Sequence, residues 1–176
     1  MVRRAINLTA EDVSAVRALL AEAWDDDDER ITDEDWEHAI GGVHFLLEDG
    51  GKVLAHASVI ERELHTQGHR LPTGYVEAVA TRHGHRGRGH GSAVMAEATT
   101  YIDRTFRLGA LSTGRTAFYE RLGWVVWRGP TFVRTGRGTV PTPDDDGGVM
   151  VRLTPSSPRL DLTAPISCEW RPGDVW

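Results

Sequence analysis

At 176 residues, 40% of them hydrophobic, the chain has the length of one domain (residues 1–176) and enough apolar material for a core of its own. The formal net charge is −6 and the acids are clumped, in Asp25-Asp26-Asp27-Asp28-Glu29, Asp33-Glu34-Asp35 and Asp144-Asp145-Asp146, a field that attracts cations and argues against nucleic acid as a partner. Cys168 is the only cysteine, which excludes an internal disulfide and a cysteine-based zinc site; no run approaches the roughly 18 apolar residues of a membrane span, and the start resembles no signal peptide, so no membrane partner and a cytoplasmic location are expected.

Residues 3–8 read as a first strand. Thr9-Ala10-Glu11-Asp12 then supplies a hydroxyl N-cap with acids in the first turn, and Val13, Val16, Leu19 and Leu20 follow at helical spacing, so a helix runs to about Trp24. A second helix begins near Thr32, carries Trp36 and Ile40 four apart, and stops at Gly41-Gly42. Residues 43–47 and 52–63 are strands joined by Glu48-Asp49-Gly50-Gly51, a β-hairpin. A turn at Gln67-Gly68 returns the chain into a strand over residues 75–80. Beyond a Gly/His/Arg loop, Val94, Ala98 and Ile102, spaced by four, predict an amphipathic helix over residues 91–107. A short strand (108–111), a short helix (115–122) ended by Gly123, and a strand (124–127) follow. Residues 135–146, rich in Gly, Pro and Asp, read as a loop before a strand at 148–153. The tail, residues 154–176, holds four more prolines and is expected to pack back on the domain.

The most specific local signal is Arg86-Gly87-Arg88-Gly89-His90-Gly91-Ser92, set between a strand and a helix. Glycines there let consecutive N–H groups turn into one concavity, and the helix N-terminus adds its partial positive charge, which together make a pyrophosphate cradle. The third glycine stands at 91 where the dinucleotide fingerprint wants position 92, and the Gly-Lys-Ser/Thr of a Walker loop is missing. A plain flexible loop is the competing reading. A single basic stretch without interleaved aromatics, in an acidic protein, makes a poor RNA site. His83, His85 and His90 invite a metal reading, but no carboxylates stand near them in sequence, so no metal is expected.

Glu77 interrupts a strand otherwise made of Tyr, Val and Ala. It is either an edge-strand acid facing solvent or a general base beside the cradle, since a protonated amine must lose its proton before it attacks a thioester. Tyr119 sits on the short helix beside Phe118 and Leu122, which serve the core; from the residues alone, a buried tyrosine with a satisfied hydroxyl is the better reading.

Arg86, Gly89 and Gly91 resemble the Arg/Gln-x-x-Gly-x-Gly/Ala loop of the GNAT superfamily, and the order of elements is similar. The implied fold is the α/β GNAT acyltransferase fold, a mixed, mostly antiparallel sheet flanked by helices and splayed near Glu77 and Val79. Longer segments resemble the aminoglycoside 2′-N-acetyltransferases: Asp35-Trp36-Glu37-His38, Gly74-Tyr75-Val76-Glu77, Leu108-Gly109-Ala110-Leu111-Ser112, Thr142-Pro143-Asp144-Asp145-Asp146-Gly147 and Gly173-Asp174-Val175-Trp176.

The resemblance implies acetyl-coenzyme A as cosubstrate, with Val79, Ala80 and Thr81 pairing by backbone with its pantetheine and Arg86, Gly87, Arg88, Gly89, His90 and Gly91 around its pyrophosphate. It implies an aminoglycoside, or another cationic aminosugar, held by Asp35, Glu77, the Ala78 backbone, Ser112, Asp144, Asp145 and the carboxylate of Trp176. Glu77 is then the base, through water, and Tyr119 the acid that protonates the departing thiolate. A homodimer is also implied. Two departures stand out: Arg30 occupies the place of a family acid, with Asp28 and Glu29 beside it, and the stretch from Ser112 to Tyr119 is short. Cys168 lies far from the cradle in sequence, so direct transfer in a ternary complex is expected. The rival readings are a GNAT enzyme acting on a lysine, a protein N-terminus, a polyamine or a cell-wall aminosugar, and a non-catalytic acyl-coenzyme A-binding regulator.

Overall fold

Two threonines start the two N-terminal helices. The Asp12 N–H donates to Thr9 Oγ1 at 3.1 Å and the Thr9 N–H returns to Asp12 Oδ2 at 3.0 Å, ahead of the helix Ala10–Ala23 (α1). Thr32 and Asp35 repeat the reciprocal pair at 3.1 and 2.8 Å, ahead of Asp33–Ile40 (α2). Each such cap stabilises its helix by about 1 kcal/mol. The face that α2 buries is Trp36 and Ala39, three apart, whereas Ile40 ends the helix exposed, which corrects the expected Trp36/Ile40 face.

The computed structural model describes residues 1–24 and 32–176, which group into one unit of residues 1–60 and 76–98 and another of residues 61–75 and 99–176. The acidic run 25–29 and Arg30 lie outside the described residues. In the first unit, strand Val2–Ala5 (β1) pairs antiparallel with Val43–Asp49 (β2), and β2 with Lys52–Thr66 (β3), the register shifting between Leu47 and Glu48. Strand His69–Thr81 (β4) and helix His90–Thr105 (α3), like β3, contribute residues to both units. Val16, Leu19 and Leu20 of α1 pack with Trp36, Leu46, Val53 and Ala80 into the first unit's core.

The second unit adds Leu108–Ser112 (β5), the short helix Thr116–Glu120 (α4), and strands Val125–Val126 (β6), Thr131–Thr135 (β7), Gly138–Pro141 (β8), Val149–Arg152 (β9) and Ile166–Glu169 (β10). Its strand order is β6-β9-β5-β4-β3-β10-β7-β8, with β4–β5 and β10–β7 parallel among antiparallel neighbours. This is the expected mixed, mostly antiparallel sheet. A Cβ on Gly74 would meet Ile102 and Phe106 at 2.7 Å, so α3 approaches β4 there as only glycine permits. Arg152 of β9 ties α3 to the sheet with a bidentate pair to Asp103, at 3.0 and 2.8 Å.

Two expectations are corrected here. Residues 135–146 are not one loop, because Thr135 closes a β7–β8 hairpin and Pro143–Asp145 form a 3₁₀ turn. Strand β8 is exposed along its whole length, so no apolar alternation marks it in sequence. The proline-rich tail also contains a strand: β10 lies between β3 and β7, with Ile166 and Cys168 buried. Four residues with two apolar positions are too short a signal to read.

Candidate active site

The loop from β4 to α3 begins with a 3₁₀ turn, His83–His85, and reaches α3 at His90. Gly87 and Gly89 take left-handed φ values of +73° and +82°, which residues with a Cβ avoid. Ala93 N–H bonds back to Gly89 O at 2.9 Å as the helix starts, and the N–H groups of the first turn have no helical acceptor. Arg86 and Arg88 are exposed; Arg86 reaches Thr81 O at 3.3 Å and Ala23 O at 3.2 Å. Both glycines therefore stand where the loop's backbone favours a residue without a Cβ. Just before it, the last residues of β4 are Val79 and Thr81, half-buried, and Ala80, buried.

Glu22 of α1 is an unforeseen support for this loop. Its carboxylate pairs with Arg82 and accepts the His83 N–H at 2.9 Å, while the Arg82 N–H donates to Leu54 O at 2.9 Å. No local pattern could have found it, since its partners lie sixty residues on in the chain.

Glu77 is half-buried on β4, and the next residue, Ala78, has φ +51°. The Glu77 carbonyl accepts from Ser58 Oγ at 3.2 Å, and the Ala78 carbonyl lies 2.8 Å from His56 Nδ1. His56 Nε2 in turn lies 3.0 Å from His44 Nδ1, and both rings are fully buried. Burial pushes the His56 pKa down to about 3 and lowers that of His44. The sequence signal for this pair was available: each histidine interrupts an apolar strand, as Glu77 does. Asp35 is half-buried in the first turn of α2, its Oδ2 engaged by Thr32.

In the second unit, Ser112 ends β5 exposed, and a short bonded strip ties it to the aspartate turn: Thr113 N–H donates to Gly148 O, and Gly148 N–H to Asp145 O, each at 3.0 Å. Asp144 is exposed and Asp145 half-buried. Burial, then the nearby charge of Asp174, raises the Asp145 pKa. Asp146 is occupied structurally, accepting the Thr131 N–H at 2.8 Å. Trp176 is buried, and its indole N–H donates to Thr142 Oγ1 at 3.0 Å, next to the same turn. Arg62 Nη2 holds the Val175 carbonyl at 2.8 Å, and its Nε pairs with Glu169 at 2.8 Å. The second unit thus brings Ser112, Asp144, Asp145 and Trp176 onto one connected stretch.

Tyr119, on α4, is the buried residue of that helix, as the reading from the residues alone expects, whereas Phe118 and Leu122, expected to serve the core, are only half-buried. Burial pushes its hydroxyl up to about 12, so it stays protonated across the neutral range. Among the described residues no group of three or more His, Cys, Asp or Glu side chains is placed to hold a metal, and no helix is long and apolar enough to cross a membrane.

Residues 4–127 match the family model of the acetyltransferase (GNAT) domain. The chain is 41% identical over 174 residues to an aminoglycoside 2′-N-acetyltransferase from Mycolicibacterium fortuitum, covering 97% of this chain and 88% of the relative. Among solved structures it resembles a GNAT family N-acetyltransferase (YhbS) from Escherichia coli in complex with CoA, at TM-score 0.67 and 17% identity, covering 96% of this chain and 88% of that one. It also resembles a GCN5-related N-acetyltransferase from Kribbella flavida, at TM-score 0.60 and 23% identity over 74% of this chain; the chain spans only 34% of that larger protein.

Proposed function

The chain belongs to the GNAT acetyltransferases, within the family of the aminoglycoside 2′-N-acetyltransferases, and from that membership we propose that it transfers an acetyl group from acetyl-coenzyme A directly to the 2′-amine of an aminoglycoside. The observation that carries the substrate is the 41% identity over 97% of the chain to a relative of that name. The acid-rich composition supports it, because a polycationic aminosugar needs several carboxylates, each charge-assisted hydrogen bond contributing about 1.5–3 kcal/mol.

The bound cosubstrate supplies an activated acetyl thioester. The left-handed Gly87 and Gly89, the first-turn N–H groups of α3 and the two exposed arginines fit a pyrophosphate, so residues 86–91 are assigned to it, and the backbone of Val79, Ala80 and Thr81 to the pantetheine. Asp35, Glu77, the Ala78 backbone, Ser112, Asp144, Asp145 and the Trp176 carboxylate are assigned to the aminoglycoside. The Glu77 carboxylate takes the ammonium proton through water, which frees the nitrogen lone pair for attack on the thioester carbonyl. Tyr119 Oη, kept protonated by burial, gives its proton to the departing thiolate, and the second proton that the nitrogen sheds as the amide forms balances the one Tyr119 gives up. The protein works in the cytoplasm, where acetyl-coenzyme A is made, and as a homodimer.

Thiol release from acetyl-coenzyme A, measured in parallel with tobramycin, spermidine and a lysine peptide, tests this reading. Turnover confined to tobramycin is expected. Preference for spermidine or the peptide would reassign the substrate, and thiol release with none of the three would leave acyl-coenzyme A binding without transfer.

A further inference from the structure

Ala78 is the one residue of β4 with a left-handed backbone, and the two peptide groups that flank its Cα are both gripped from β3. Ser58 Oγ donates to the carbonyl on the Glu77 side at 3.2 Å, and His56 Nδ1 lies 2.8 Å from the carbonyl on the Val79 side. His56 and Ser58 stand two apart, on one face of the strand. A residue has only two soft backbone dihedrals, so holding the planes before and after Ala78 fixes both. Those dihedrals set how Glu77, before the kink, is angled against Val79, after it.

Behind His56 the row continues. His44 Nδ1 is 3.0 Å from His56 Nε2, and His44 Nε2 is 3.2 Å from the carbonyl of Ile40, the last residue of α2. Both ends of the row are carbonyl oxygens, which only accept. Its three contacts need three protons, but two neutral imidazoles carry two. Both rings are fully buried, which favours their neutral forms. The contact at Ala78 is the shortest and the one at Ile40 the longest, so the proton is missing at Ile40. His56 then carries its proton on Nδ1 and turns a bare Nε2 toward His44, which donates to it.

We propose that His56, locked in its Nδ1–H tautomer by His44, is a positioning residue that holds the Glu77–Ala78 kink in the geometry the reaction uses. This rests on the reading of Glu77 as the base in an acetyl transfer to an aminoglycoside amine. His56 touches neither substrate in this assignment; it acts through the Ala78 carbonyl.

The tautomer can be read directly by 15N-resolved imidazole NMR on the wild-type protein, with a protonated Nδ1 and a bare Nε2 expected at His56. A proton on Nε2 instead overturns the proposal. Steady-state kinetics with tobramycin supply the second test, because an asparagine amide nitrogen stands where Nδ1 does and a glutamine amide nitrogen where Nε2 does. His56→Asn should keep kcat within about threefold of wild type, whereas His56→Gln should lower kcat about ten- to hundredfold with acetyl-coenzyme A KM nearly unchanged, the scale of a small misplacement at a reacting centre. Equal losses in the two variants, or none in His56→Gln, also overturn it. Should His56→Gln fail to fold, Ser58→Ala probes the other grip, and an unchanged kcat there counts against the proposal. A wild-type enzyme that releases thiol with no aminoglycoside defeats the functional reading, while the tautomer measurement still decides the geometry.

Discussion

The Trp176 indole donates to Thr142 Oγ1, so the Trp176 side chain is anchored two residues before Asp144. Arg62, almost fully buried, holds the preceding carbonyl. Held at its side chain and at the preceding backbone rather than frayed, Trp176 has the fixed place that the proposed contact of its carboxylate with the aminoglycoside needs. Deleting Val175-Trp176, or adding a C-terminal tag, should raise the aminoglycoside KM roughly ten- to hundredfold while acetyl-coenzyme A binding stays the same, the size expected for one charge-assisted contact. Identical aminoglycoside KM values for tagged and untagged enzyme at low salt would remove the carboxylate from the list of ligands.

Arg62 offers a separate check on the same anchor. It combines the pair with Glu169, the bond to Val175 O and a guanidinium stacked 4.6 Å from the Tyr75 ring centroid. Arg62→Met removes the bond to Val175 O, the stacking on Tyr75 and the pair with the partly exposed Glu169 at once, so it should lower the melting temperature as well as raise the aminoglycoside KM. Thr142→Val removes the indole's acceptor, together with the bond from Thr142 Oγ1 to Thr131 Oγ1 at 2.8 Å, and should raise the aminoglycoside KM with a smaller change in melting temperature than Arg62→Met. An unaltered KM in Thr142→Val would mean that the indole bond does not position the terminus.

General acid and base catalysis are each typically worth about 10²–10⁴-fold. Glu77→Gln should slow the reaction most at low pH, where the amine carries its proton and the base is most needed. Tyr119→Phe should slow it by a similar order with acetyl-coenzyme A affinity retained. Because burial holds the Tyr119 hydroxyl near 12, its deprotonation should not shape the rate profile below about pH 10. Wild-type rates in both variants at every pH would make these residues structural.

Regiochemistry is sharper still. Kanamycin A carries a hydroxyl at the 2′ position and should be a poor substrate, whereas tobramycin, gentamicin C and kanamycin B, with a 2′-amine, should turn over. Mass spectrometry of the products checks both points, and efficient acetylation of kanamycin A would sink the 2′ assignment.

Where the sequence carried local chemistry, the fold was legible: the Thr9 and Thr32 caps, the Gln67-Gly68 turn and the glycine loop before α3 all form as their residues dictate. What escaped reading depends on partners distant in the chain. Strand β10 exists because β3 and β7 offer it two edges, and Glu22 matters because the loop after β4 folds onto α1. The His44–His56 row carried the same sign as Glu77, a polar residue in an apolar strand, but its meaning appears only once Ala78 is seen to be left-handed.

That row also predicts how the protein responds to acid. His56 has a folded pKa of about 3 against an ordinary value of 6.5, through burial first, with the neighbouring His44 adding to the shift and the Ala78 carbonyl opposing it. His44 is lowered too, by burial, against the Ile40 carbonyl and the charge of Asp12. Between those two pH values the unfolded chain binds a proton at His56 that the folded chain does not. The stabilisation is therefore fully present above about pH 6.5 and is lost as the pH falls toward 3. One such proton gives a slope of up to about 1.4 kcal/mol per pH unit, and His44 adds in the same direction. The depressed carboxyls of Asp12, Glu63 and Asp161 titrate lower, and the raised Asp145 acts with the opposite sign and equally in wild type and His56→Asn, so the difference between the two proteins from about pH 6.5 to 5 isolates His56. Urea unfolding across that window should show stability falling with pH in the wild type and falling less steeply in His56→Asn, which has lost one titrating ring. Parallel slopes for the two proteins would mean that His56 is already protonated when folded, and the proton count of the row would have to be redrawn.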